Sequence, residues 1–209
     1  MLKSVGEQRR EESKHLLLRV DQEISAKYDS KNISYDVDPE KLPLFLKSYI
    51  ITWEKQVSGV YENYVKKWLL SNNIPALYEL KFDLNETFIH APDFITGLMT
   101  DDGRIVLINP HHNLNRKFTE EQIMLRKAGF YVIVISKDRC NNCEGFADEC
   151  WYIESDASAK IQEALANASL EFHHLREDEL IQKLIEERAG DFIMTKKPES
   201  LLRNKPVHA

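Results

Sequence analysis

Apolar residues in the first part of the chain recur at helical spacing, with Val5, Leu16, Leu17, Val20 and Ile24 set among Glu, Arg and Lys. That period predicts an amphipathic helix over residues 3–28. Residues 29–42 are polar and rich in turn formers, so they read as a connector. A second helical stretch runs from about Pro43 to Leu70, with Gly59 as its expected break. Its later piece carries an apolar face at Tyr61, Val65, Trp68 and Leu69, and Asn72-Asn73 stops it. From Ala76 the period shortens to two. Ala76–Phe82 alternates like a half-buried strand, Phe88–Phe94 is a second extended segment, and Arg104–Ile108 follows a turn at Asp101-Asp102-Gly103. Thr119-Glu120-Glu121-Gln122 has the form of a capping box for a helix that Gly129 ends. Phe130–Ser136 is the most strand-like run, and Cys150–Ile153 forms a shorter one. Helices at about 156–168, capped by Ser155, and 177–189, closed by Gly190, complete the pattern, and residues 191–209 read as a tail.

The order helix–β–β–β–α–β–β–α predicts an α/β fold with a mixed central sheet flanked by helices. It divides into three segments: an N-terminal helix and connector (1–42), an α/β core (43–170), and a C-terminal helix and tail (171–209).

Composition narrows the class. The chain has 209 residues, 43% hydrophobic and 30% charged, which suits one buried core and excludes a disordered or fibrous class. No apolar run reaches the ~20 residues that span a bilayer, and the N-terminus turns polar at once, so neither membrane insertion nor a secretory signal is expected. An odd cysteine count of three points to a reducing compartment, with the cytoplasm as default. The net charge of −6, from 28 basic and 34 acidic residues, argues against a protein that coats nucleic acid. Any such binding must come from a local basic patch, while a protein partner suits the acidic balance.

Several residues then invite a chemical reading. Glu62 lies on the helix GVYENYVKKWL, which leads into the strand phrase NNIPALYEL. Pro92-Asp93-Phe94 closes a later extended segment, and a helix with Gln122, Leu125 and Arg126 precedes the strand GFYVIVI. This succession resembles the core of the PD-(D/E)xK, or restriction-endonuclease-like, nucleases over roughly residues 57–137. In that superfamily a helical Glu, an Asp after an apolar segment and a third acid followed two places on by Lys gather at a sheet edge. They hold Mg²⁺ or Mn²⁺, which activates water against a phosphodiester. The resemblance implies that Glu62 and Asp93 are metal ligands. The third motif departs from the pattern, because Ile105-Val106-Leu107-Ile108-Asn109-Pro110-His111 places Asn109 at the acid position and His111 at the lysine position. An amide oxygen can ligate a hard cation but brings no charge, and a histidine can act as a base near neutral pH. A register placing Leu107 and Asn109 there fits worse.

Each candidate has a plainer reading. Glu62 can be a salt-bridged surface residue, Asp93 a turn or capping acid, and His111 and His112 loop residues. Lys66, Lys67, Arg116, Lys117 and Arg126 can face phosphate or simply form solvated helix faces. Cys140, Cys143 and Cys150 lack a fourth zinc ligand at standard spacing unless His173 or His174 folds nearby, so free thiols are expected there. The retained Pro92-Asp93-Phe94 element and Glu62 favour a metal-dependent nuclease using Glu62, Asp93, Asn109 and His111, with a catalytically inactive adaptor on the same scaffold as the alternative.

Overall fold

A computed structural model of the chain describes residues 40, 42–83, 89–111, 114–137, 143–153 and 157–188. The expected helix at 3–28, most of its connector, the caps at Ser155 and Gly190, and the tail at 191–209 lie outside the described residues. So do His112 and Cys140.

The chain divides into two compact units. Among the described residues, the smaller holds α1 (Leu42–Lys47), β2 (Phe82–Asp83), the start of β3 (Ile89–His90), and the part of α5 (Glu177–Arg188) from Ile181 onward. Within it, Leu42, Phe45 and Leu46 form the buried side of α1, and β2 pairs with β3.

The larger unit, Tyr49–Leu80 with His90–Leu180, carries the sheet. Its elements are α2 (Val60–Ser71), β1 (Ala76–Tyr78), β4 (Phe94–Met99), β5 (Ile105–His111), α3 (Arg116–Lys127), β6 (Tyr131–Ser136), β7 (Glu149–Tyr152), α4 (Ala157–Ser169) and β8 (His173–His174). The strand order is β1-β4-β5-β6-β7, with β8 also on β4. β1, β4 and β5 run antiparallel to their neighbours, whereas β5, β6 and β7 run parallel. The helical crossover through α3 is what a parallel β5–β6 pair requires. Both central strands are buried on two faces, which explains their unbroken apolar runs. One face packs Val106, Ile108, Ile133 and Ile135 against α2 and α4, through Val65, Leu69, Ile161 and Leu165. The opposite residues of β5 meet α3, as Asn109 and His111 touch Gln122 and Phe118.

Several boundaries differ from the sequence reading, each for a local reason. The 43–70 helix is two pieces separated by residues 48–59. Part of that link pairs beside β1, where Ile51 N–H donates to Ala76 O (2.8 Å) and Tyr78 N–H to Tyr49 O (2.9 Å). β1 ends at Tyr78 because Glu79 takes a left-handed φ of 52° and turns the chain. The main strand begins at Phe94 rather than occupying 88–94. Pro92 has no N–H to give the ladder, and Asp93 N–H is diverted to a side chain. α3 starts three residues before the Thr119 box. Asn115 is its cap, with Oδ1 accepting from Phe118 N–H at 3.0 Å, while the Thr119 hydroxyl donates to Arg116 O inside the first turn.

The free-thiol expectation is corrected at two of the three cysteines. A short turn at Cys143–Gly145 folds back on itself, with Phe146 and Ala147 N–H both donating to Cys143 O, and Cys143 is joined to Cys150 in a disulfide. Asp148 fixes the same loop, accepting from Val132 N–H and pairing with Arg104 and Arg126. Among the described residues no helix is long and apolar enough to cross a membrane.

Candidate functional site

Glu62 is the third residue of α2, where free helix N–H groups favour a carboxylate. Its side chain is only 9% exposed and turns back over the helix start. It accepts from Ser58 N–H (3.1 Å), from the Ser58 hydroxyl (3.0 and 3.1 Å), and from the Tyr78 hydroxyl (2.5 Å). This is a relative of the capping box, with the acid reaching one residue further back. Gly59 makes room for it, since a Cβ there would lie 2.8 Å from Glu62 Oε1. Burial, and then the Glu62 bond, push the Tyr78 phenol well up, so it stays a donor. The plainer alternative, an exposed and salt-bridged Glu62, is therefore not met.

Asp93 stands where the chain enters β4, partly buried, and its carbonyl accepts from Glu79 N–H at 3.2 Å. Its N–H donates to Asn109 Oδ1 at 2.9 Å, and Asn109 Nδ2 donates to Gln122 Oε1 at 2.6 Å. Asn109 and Gln122 are both buried. Among the described residues no donor reaches the Asp93 carboxylate. Desolvation, then the carboxylates of Glu62, Glu79 and Glu121, raise its pKa well above the ordinary range. Glu121 is itself raised by burial, although Ala91 N–H donates to it at 3.2 Å. His111 lies half-buried with its ring stacked on Phe118 at 4.2 Å, and its backbone continues the β5–β6 ladder.

The fold thus brings Glu62, Asp93 and Asn109 to one region, but their donor atoms are used unequally. A hard divalent cation wants about six oxygen ligands, several of them anionic. Glu62 already accepts from three groups, and Asn109 spends its amide on Asp93 N–H and Gln122. Among the described residues no three His, Cys, Asp or Glu side chains lie close enough to share a metal ion. As placed, these residues do not fit a three-ligand magnesium or manganese site.

The basic candidates disperse. Lys66 is 6% exposed, and its ammonium donates to the carbonyls of Trp53 (2.8 Å) and Lys55, pinning the link before α2. Arg126 is held by Asp148 and Glu144 O, roughly 15 Å along α3 from Arg116 at 1.5 Å per residue. Lys66 is turned inward, and Arg126, half-buried, is tied to Asp148. Lys67, Arg116 and Lys117 are exposed, with Arg116 bonded to Glu120.

Sequence reading gives no site role to Ser58, Tyr78, Glu121 or Gln122. The Ser58-to-Glu62 spacing at a helix start was a legible capping signal. Tyr78 and the Asn109–Gln122 pair come together only through the sheet. Because Asp93 and Glu121 are raised in the folded state, the unfolded chain releases protons more readily. Stability from these groups is fully present at low pH and declines as pH rises above the ordinary carboxylate pKa of about 4. Urea melts across pH 4.5–8 check this: Asp93→Asn should flatten the decline, and an unchanged profile would refute it.

Comparison with protein-family models, characterised proteins and solved structures finds no match to this chain.

Proposed function

We propose that the chain keeps a nuclease-like scaffold and uses it for binding, as a non-catalytic subunit whose partners are proteins. The observation that carries this reading is the use of Glu62 and Asn109, two of the three ligand positions, as internal hydrogen-bonding groups. The succession α2-β1-β4-β5-α3-β6, with an antiparallel meander followed by a parallel strand, supports the restriction-endonuclease-like part. The charge of −6 and the internal engagement of Lys66 and Arg126 support a protein rather than a phosphate backbone as partner.

Metal-dependent phosphodiester hydrolysis is the second reading, and Asp93 favours it. A desolvated carboxylate with no donor among the described residues, in the field of three others, is where a Mg²⁺ would be held and would polarise phosphate and water. Incubating the protein with single- and double-stranded DNA and RNA, in Mg²⁺ or Mn²⁺, separates the two. The binding reading expects no cleavage above an EDTA control. Cleavage by wild type that disappears in Asp93→Ala would overturn it and establish hydrolysis.

A further inference from the structure

The Cys143–Cys150 disulfide has no part in the binding reading, and its surroundings hold both cysteines in place without it. The two lie seven residues apart in sequence, with Cα atoms 5.9 Å apart. A bridge across so short a ring removes less chain entropy from the unfolded state than one joining distant elements, so the fold does not rest on it. Noncovalent bonds fix each end. Phe146 and Ala147 N–H each donate to Cys143 O at 2.9 Å, and Cys150 stands in the β6–β7 ladder opposite Val134. With the bridge open, the two thiols remain neighbours. Both cysteines are half-buried, so a small reductant has access from solvent.

The same ring carries a clamp. Asp148 N–H donates to Val132 O at 2.9 Å, and its carboxylate accepts from Val132 N–H at 2.8 Å. That carboxylate also pairs with Arg104 (3.1 Å) and Arg126 (3.3 Å), and Arg126 donates to Glu144 O at 3.0 Å. Arg126, near the end of α3, thus takes two acceptors from inside the ring. Closing the clamp brings Cys143 and Cys150 together, and joining the cysteines favours the closed clamp. Thermodynamic reciprocity makes the two factors equal.

We propose that Cys143–Cys150 is a redox-active pair, reversibly reduced in the folded protein by a dithiol, and that its reduction loosens the Asp148 clamp on β6 and α3. A reductant thiolate attacks one sulfur of the bridge, forming a mixed disulfide and releasing the other cysteine as thiolate. The reductant's second thiolate then attacks the reductant sulfur of that mixed disulfide and frees the second cysteine. Two electrons and two protons pass to the protein, which then holds two thiols, and the reductant leaves as a disulfide. Oxidised glutathione restores the bridge by the reverse exchange and departs as two thiols. In the reduced form the ring opens more often and gives up its hold on Arg126, while the sheet core stays packed.

The test equilibrates the full chain in mixtures of dithiothreitol and its disulfide, with Cys140→Ser throughout so that the third thiol of the sequence takes no part. Alkylation and intact mass give the reduced fraction, circular dichroism the fold, and hydrogen exchange the clamp. The pair should titrate reversibly with the dichroism unchanged. In the reduced form the Phe146, Ala147 and Asp148 amides should exchange several-fold faster, and those of β5 at their former rate. Asp148→Ala should lower the ratio of dithiothreitol to its disulfide at half reduction by about tenfold. Arg126→Gln should move it the same way by less, and Arg116→Gln, at the exposed start of α3, should leave it in place. Reduction that occurs only with loss of the dichroism would overturn the proposal, because the bridge is then a structural staple. So would a chain that forms no bridge in oxidised glutathione, ring amides indifferent to reduction, or an unmoved half-reduction ratio in Asp148→Ala. If Asp148→Ala does not fold, Arg126→Gln decides: an unmoved ratio there overturns the coupling, and a lowered one supports it.

Discussion

Glu62→Ala should destabilise the protein by about 3 kcal/mol, lowering the melting temperature by roughly 6–12 °C for a chain of this size. The change removes the acceptor for Ser58 N–H, the Ser58 hydroxyl and the Tyr78 hydroxyl together. It also leaves the buried Tyr78 phenol with no acceptor for its proton, although Ser58 N–H still reaches its oxygen at 3.3 Å, and a lost partner costs more than a bond removed from both sides. Tyr78→Phe should cost less, because Glu62 keeps the Ser58 N–H and hydroxyl as donors and no buried phenol is left without an acceptor. The Glu62→Ala, Tyr78→Phe cycle should return a coupling of about 1–3 kcal/mol, as expected for a hydrogen bond to a charged group. An exposed acid in a surface ion pair would behave otherwise, with a loss within about 0.5 kcal/mol and no coupling. Chemical denaturation of the four proteins distinguishes the cases.

The other large effect belongs to Gly97. β4 and β5 change register between Ile95 and Met99, so residues 96–98 leave the regular ladder. The Thr96 hydroxyl fills the gap, donating to Val106 O at 2.8 Å. Gly97 meanwhile bonds outward on both sides, its N–H to Pro75 O (2.6 Å) and its carbonyl from Leu175 N–H (2.7 Å). β1 pairs with β4 before this point and β8 after it. A Cβ on Gly97 would lie 2.7 Å from Pro75 Cγ and 2.9 Å from Leu175 O, and neither a proline ring nor a bonded carbonyl can swing aside. Gly97→Val should therefore cost about 3 kcal/mol, the upper end for overpacking. Gly103→Ala provides the comparison. Its φ of +87° imposes backbone strain, but no atom lies within 4 Å of the added methyl, so the loss should stay near 1–2 kcal/mol. A loss at Gly97 no larger than that at Gly103 would show that Pro75 and Leu175 give way to the added side chain.

What the sequence determined by itself was what short-range periodicity and side-chain type control. The runs Ile105–Ile108 and Val132–Ile135 announced central strands, since only a segment covered on both faces is apolar throughout. The apolar stripe of Tyr61, Val65, Trp68 and Leu69 announced α2. The tertiary structure alone decided how the polar groups are spent. Whether Asp93 N–H joins a ladder or an amide depends on where β5 stops beside it, and whether Lys66 meets phosphate or two carbonyls depends on the path of residues 48–59. Thr119 looked like a cap, yet Asn115 took that role and Phe118 is buried behind it. Hydrophobic pattern specifies which faces are covered because burial is non-directional and arises from composition along the segment. A hydrogen bond is directional and short. Its partner is fixed only once distant strands and helices have come together, and the use of Asn109 was settled at that stage.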